Sequence, residues 1–114
     1  MSGRSSRVKG HAFERSMAEH FRNLGYTKCR TSRYESKMLD DMDIDLTNTK
    51  PFNIQCKAVE NLGSAHDVLS AMPNDENYNV VIHKRNRKGI VVSMTLDDFS
   101  EIIQMLFINQ IVKP

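Results

Sequence analysis

The chain has 114 residues, 39% hydrophobic and 26% charged, without tryptophan, a size and composition that suit one globular domain and leave no room for two. Sixteen Lys and Arg against fourteen Asp and Glu leave a net charge of only +2, which taken alone says nothing about nucleic acid. The longest apolar segment, Phe99 to Val112, is broken by Ser100, Glu101, Gln104, Asn109 and Gln110 and falls short of the ~20 apolar residues of a membrane span, so a soluble protein is expected.

Residues 1 to 9, rich in Ser, Gly, Arg and Lys, read as a flexible basic arm, and 10 to 114 as a single domain. From Gly10 to Leu24 the residues Phe13, Met17, Phe21 and Leu24 recur at helical spacing, and Gly25 supplies a stop. Tyr26 to Arg33, with Thr27, Cys29 and Thr31, suits a strand, and a charged loop follows. Met42–Thr47 and Phe52–Val59, separated by Asn48-Thr49-Lys50-Pro51, read as an antiparallel hairpin. On its second strand Phe52, Ile54, Cys56 and Ala58 face one way, and Asn53, Gln55, Lys57 and Val59 the other.

Ser64 with Asp67 forms a capping signal for a short helix carrying Ala65, Val68, Leu69 and Met72 and ended by Pro73. Tyr78–His83 and Gly89–Met94 are β-rich runs joined by a basic segment, and Thr95 with Asp98 caps a last helix bearing Phe99, Ile102, Ile103, Leu106 and Phe107. The predicted order is α-β-β-β-α-β-β-α, an α/β domain with a mixed central sheet flanked by helices. A chain this short leaves much of its surface exposed, so the apolar last helix reads as core or as a dimer contact.

Charge is unevenly distributed. Residues 1 to 33 carry Arg4, Arg7, Lys9, Arg15, Arg22, Lys28, Arg30 and Arg33 against Glu14 and Glu19, whereas Glu35 to Asp45 holds five carboxylates and one Lys. A second basic run contains Lys84, Arg85, Arg87 and Lys88. Basic blocks beside an acidic one suit a polyanion-facing surface next to an acidic pocket, and solvated charge is the plainer reading of any single run. Arg4, Arg7, Lys9, Arg15, Arg30, Arg33 and the 84–88 run are the candidate phosphate contacts. The two cysteines, Cys29 and Cys56, have no CxxC spacing, and no secretory signal is read, so a reduced cytoplasmic setting is expected. His11, His20, His66 and His83 show no zinc-ligand spacing, and nothing suggests an organic cofactor.

Glu14 lies at the border of the first helix's apolar stripe. Asp43 and Asp45, two apart on a predicted strand, would share a face, as would Gln55 and Lys57 on the next. If these faces coincide, carboxylates, an amide oxygen and an ammonium converge. That set suits metal-assisted phosphodiester hydrolysis, in which hard oxygen ligands hold Mg²⁺ (or Mn²⁺) and a neighbouring Lys orients water and offsets phosphate charge. The plainer readings are a helix carboxylate paired with an Arg, an edge strand defended by charge, and a snorkelling Lys.

Gly10-His11-Ala12-Phe13-Glu14-Arg15, Asp43-Ile44-Asp45-Leu46 and Phe52-Asn53-Ile54-Gln55-Cys56-Lys57-Ala58 together resemble the motif series of the PD-(D/E)XK nucleases, especially the archaeal and phage-type Holliday junction resolvases. The resemblance runs from about Val8 to the second predicted helix and implies a restriction-endonuclease-like core. It also implies a homodimer that cuts branched or double-stranded DNA with paired nicks, in DNA recombination and repair, in a host cytoplasm if the source is viral. Carried over, Glu14 assists metal or water positioning, Asp45 or alternatively Asp43 is the main metal ligand, and Lys57 is the catalytic Lys. The backbone carbonyl of Cys56 is a further ligand. Gln55 stands where the family has Glu or Asp, which removes a charge and lowers the expected Mg²⁺ affinity. The same residues therefore also suit a nucleic-acid-binding module that has lost turnover, or a nuclease of the same fold with another DNA substrate.

Overall fold

In the computed structural model, which describes residues 3–114 with side chains from Ser5 onward, five helices and three strands succeed one another. They are α1 (Gly3–Leu24), α2 (Ser32–Glu35), α3 (Lys37–Asp41), β1 (Phe52–Ala58), α4 (Ala65–Ser70), β2 (Tyr78–Arg85), β3 (Gly89–Ser93) and α5 (Leu96–Ile108). The strands form one mixed sheet in the order β1-β2-β3. β1 and β2 are parallel, with Gln55 beside Val81 and Lys57 beside His83, and the crossover that parallel pairing requires is supplied by α4. β2 and β3 are an antiparallel hairpin whose tip holds Arg87 and Gly89 at positive φ.

α1 begins at Gly3, not at Gly10, so residues 3–9, expected as a flexible arm, form its first turns. Gly10 inside a helix costs only about 1 kcal/mol, too little to stop it, and Lys9 Nζ donates to Asn86 Oδ1 at 3.2 Å across to the β2–β3 tip. The helix ends where its sequence says. Tyr26 N–H bonds the Phe21 carbonyl and Gly25 N–H the Arg22 carbonyl, with Gly25 at φ 134, the reciprocal pair that closes many helix C-termini.

The expected strand over Tyr26–Arg33 is reduced to one bridge, Thr31 to Leu46. The expected Met42–Thr47 strand is also absent: in its place α3 closes on Asp43, which takes φ 61 while its N–H bonds the Asp40 carbonyl and Ile44 N–H the Leu39 carbonyl. The charged loop thus holds two helices too short to show a 3.6-residue period, one capped by Ser36 accepting from Leu39 N–H. The chain still doubles back before β1, but the backbone contact there is a single bond, Asp45 N–H to the Ile54 carbonyl.

Phe13 and Ala18 of α1 pack with Cys29, Leu46, Ile54, Cys56, Val80 and Ile82 to form the core, and Met17, Phe21 and Phe52 lie against it. Ile54 and Cys56 therefore face α1, which puts Gln55 and Lys57 on the opposite face of β1. Leu24, expected on the buried stripe, is exposed. α4 and α5 begin at their expected caps, Ser64 and Thr95. No residue of α5 is buried, and Ile90, Val92, Phe99, Phe107 and Ile108 leave apolar surface open to solvent, as does Val91 on the other face of β3. No helix among the described residues is long and apolar enough to cross a membrane.

Candidate functional site

Asp45 is held from three directions. Its N–H donates to the Ile54 carbonyl at 2.7 Å, its own carbonyl accepts from Ser32 N–H at 2.8 Å, and its Oδ2 accepts from Cys56 N–H at 2.7 Å. The carboxylate is drawn against the open edge of β1, away from β2. Burial raises its pKa above the ordinary value; the Cys56 N–H and the Lys57 charge oppose that rise, and Asp40 and Asp43 add to it.

Glu14, one residue after the buried Phe13, emerges from α1 toward this edge. Its pKa is raised to about 7, first by burial and then by the charge of Asp45; Asp40 adds to the rise, while Arg33 and Arg15 oppose it. Of two carboxylates sharing a site, the one that ionises second carries the repulsion. Arg33 Nη2 bonds Glu14 Oε2 at 2.5 Å, so this arginine, expected as a phosphate contact, is paired with a carboxylate of the cluster.

Gln55 is 6% exposed, and its Oε1 has no hydrogen-bond partner among the described residues. The same holds for Ser32 Oγ. Ser32 also gives its N–H to the Asp45 carbonyl, and Gln55 lies in β1 between Ile54 and Cys56, whose backbone groups bond Asp45. Buried polar atoms without partners are costly unless water or an ion meets them. Burial, Asp45 and Glu14 raise the Cys56 thiol well above its ordinary pKa, which leaves it a protonated core group. Its backbone N–H points to Asp45, and by the alternation of a strand its carbonyl points to the same edge.

The structure thus brings Glu14, Asp45, Lys57 and the Cys56 backbone within electrostatic or hydrogen-bonding reach through Asp45. Asp43 departs from expectation: at the left-handed end of α3 it is exposed and does not share a strand face with Asp45. Asp40, not among the expected site residues, acts on both Glu14 and Asp45, and its only signal in the sequence is the acidic run from Glu35 to Asp45. Among the described residues no group of three or more His, Cys, Asp or Glu stands close enough to hold a metal ion. Glu14, Asp45 and the Cys56 carbonyl nevertheless match in type the habit of Mg²⁺, which keeps several waters and takes one or two protein carboxylates, and Gln55 Oε1 is a buried amide oxygen of the same ligand type.

The cationic residues fall into two groups. Arg15 and Arg30 line a pocket of about 300 Å³ together with Arg22, which the sequence reading had not singled out. Lys9, Lys84 and the 84–88 tip form the second: Lys84 Nζ lies 5.9 Å from the Phe13 ring centre, Arg85 is 3.8 Å from Glu60, and Arg7, Arg87 and Lys88 are exposed. The Arg4 side chain lies outside the described residues. A wider cleft of about 700 Å³ between α4, β3 and α5 includes neither Glu14 nor Asp45. Compared with protein-family models, with curated proteins and with solved structures, the chain matches none.

Proposed function

We propose that the chain is a metal-dependent, structure-selective DNA endonuclease with a restriction-endonuclease-like core of the PD-(D/E)XK kind, acting as a homodimer that resolves four-way junctions by paired nicks. The observation that carries this reading is Asp45, pinned by the β1 backbone and felt electrostatically by both Glu14 and Lys57. Asp45, Glu14, the Gln55 amide and the Cys56 carbonyl would hold Mg²⁺ or Mn²⁺, which when bound offsets charge on the phosphorane and lowers the pKa of an attacking water. The rest of the chemistry falls to the chain. Glu14 helps to position the attacking water, and Lys57 orients that water and places positive charge beside a phosphate oxygen. Arg33 orients Glu14 through its 2.5 Å bond.

Two-fold symmetry gives one active site per opposed strand, and the open apolar surface of β3 and α5 supports association of two copies. Cutting of a synthetic four-way DNA with Mg²⁺ or Mn²⁺ tests the proposal: wild type cuts, and Lys57→Ala does not. Equal cutting by both removes the catalytic assignment.

A second reading is favoured by the neutral Gln55 and by the engagement of Glu14 with Arg33: a nucleic-acid-binding module of the same fold with little or no turnover. It predicts salt-sensitive junction binding without metal-dependent cleavage, and a marked gain of cleavage in Gln55→Glu. A nuclease of this fold acting on other branched or linear DNA is distinguished by presenting those substrates in the same assay.

A further inference from the structure

We infer that the pocket between α1 and the Arg30–Tyr34 segment binds the phosphodiester of an unpaired nucleotide, so that the chain recognises a DNA strand whose bases are locally unstacked. Arg15, Ala18 and Arg22 are spaced by three and four residues and share one face of α1. Arg30, Thr31 and Tyr34 stand opposite and complete the pocket of about 300 Å³. Ala18, 2% exposed, is its small floor.

Among the described residues no carboxylate forms an ion pair with Arg15, Arg22 or Arg30. Two of these guanidiniums are held in place without being neutralised: Arg22 Nη1 and Arg30 Nη1 both donate to the Cys29 carbonyl at 2.8 Å. Each guanidinium has five N–H donors, so several remain to bind oxygen. Two arginines held in place without an ion-pair partner, with Arg15 beside them on the same concave site, suit phosphate, for which the guanidinium fork is bidentate.

Tyr34 adds a second kind of contact. It is 82% exposed and stands at the edge of the pocket, a large ring with no place in the core. Exposed aromatic rings beside a cationic groove stack on bases, and a base can reach one only where it has left the duplex. The pocket also adjoins the carboxylates. Arg15 follows Glu14, Arg33 bonds Glu14, and Ser32 N–H bonds the Asp45 carbonyl. A strand with its unpaired nucleotide here passes next to Glu14 and Asp45.

The inference rests on the reading of this site as one that acts on DNA, and binding without divalent ion separates the two. Fluorescence anisotropy in EDTA, with a labelled single strand, the matching duplex and a four-way junction, compares wild type with Tyr34→Ala, Tyr34→Phe and Arg15→Gln. Tyr34→Ala weakens single-strand and junction binding about tenfold and leaves the duplex unchanged, while Tyr34→Phe binds as wild type. Arg15→Gln lowers the salt slope by about one for every DNA. Unchanged single-strand affinity in Tyr34→Ala, an equal loss for the duplex, or no DNA binding by wild type overturns the inference. Lys57-dependent cutting with an indifferent Tyr34 leaves the nuclease reading standing and removes the pocket; Tyr34-dependent binding with no cutting by wild type does the reverse.

Discussion

Cys56 N–H donates to Asp45 Oδ2 at 2.7 Å, and this bond turns an irregular segment into one wall of a site. The two residues belong to segments that share little regular pairing, yet a strand backbone group aims the carboxylate that the rest of the cluster surrounds. Replacing Asp45 with Ala leaves the buried Cys56 N–H unpaired and should lower unfolding stability by about 1–3 kcal/mol, read by urea denaturation. Asp45→Asn retains an acceptor, so its stability loss is smaller, while cleavage falls by at least about 100-fold.

Because Asp45 is the second largest cause of the raised Glu14 pKa, Asp45→Asn should also move Glu14 down from about 7 toward its ordinary value near 4.5. Side-chain carbon NMR titration of Glu14 in the two proteins measures the difference. An unmoved midpoint means that the two carboxylates do not sense one another.

A carboxyl pKa raised in the folded state makes the folded protein bind more protons than the unfolded chain over the intervening range. Glu14's contribution to stability is therefore fully present below about 4.5 and is lost as pH rises to about 7. Thermal midpoints in the absence of divalent ions should fall across this window, and Glu14→Gln should flatten the fall.

Gln55→Glu places a third carboxylate at a buried position whose present amide oxygen has no partner. Without divalent ion the variant should be less stable by roughly 2–3 kcal/mol, and Mg²⁺ should restore its melting midpoint. Half-saturation by Mg²⁺ in the cleavage assay should drop about tenfold. A variant melting point indifferent to Mg²⁺ argues against an ion beside this residue.

Val92 on β3 and Ile108 on α5 are 61% and 79% exposed, so a charge at either position disturbs no core. If two copies associate through this surface, Val92→Lys and Ile108→Glu should shift sedimentation velocity from dimer to monomer with unchanged circular dichroism. Wild-type protein sedimenting as a monomer at every concentration removes the homodimer.

Much of the architecture is written in local pattern. The Phe13–Met17–Phe21 spacing, the Gly25 stop, the Ser64 and Thr95 caps and the alternation that separates Ile54 and Cys56 from Gln55 and Lys57 each arise from contacts within a few residues, and each reappears in the folded chain. Short-range turn chemistry was harder to read. A D-x-D pattern looks like one strand face, but Asp43 tolerates a left-handed φ and ends α3, which turns it from Asp45.

Helix and strand periods suffice to place Phe13, Met17 and Phe21 on one face of α1 and to part Ile54 and Cys56 from Gln55 and Lys57 on β1, because those periods act without reference to the rest of the chain. No such period foretells that Arg33 meets Glu14, that Asp40 bears on both carboxylates, or that Arg15, Arg22 and Arg30 surround one pocket with Tyr34. Those relationships join residues whose separation along the chain carries no period, and they exist only once packing on the sheet brings their elements together.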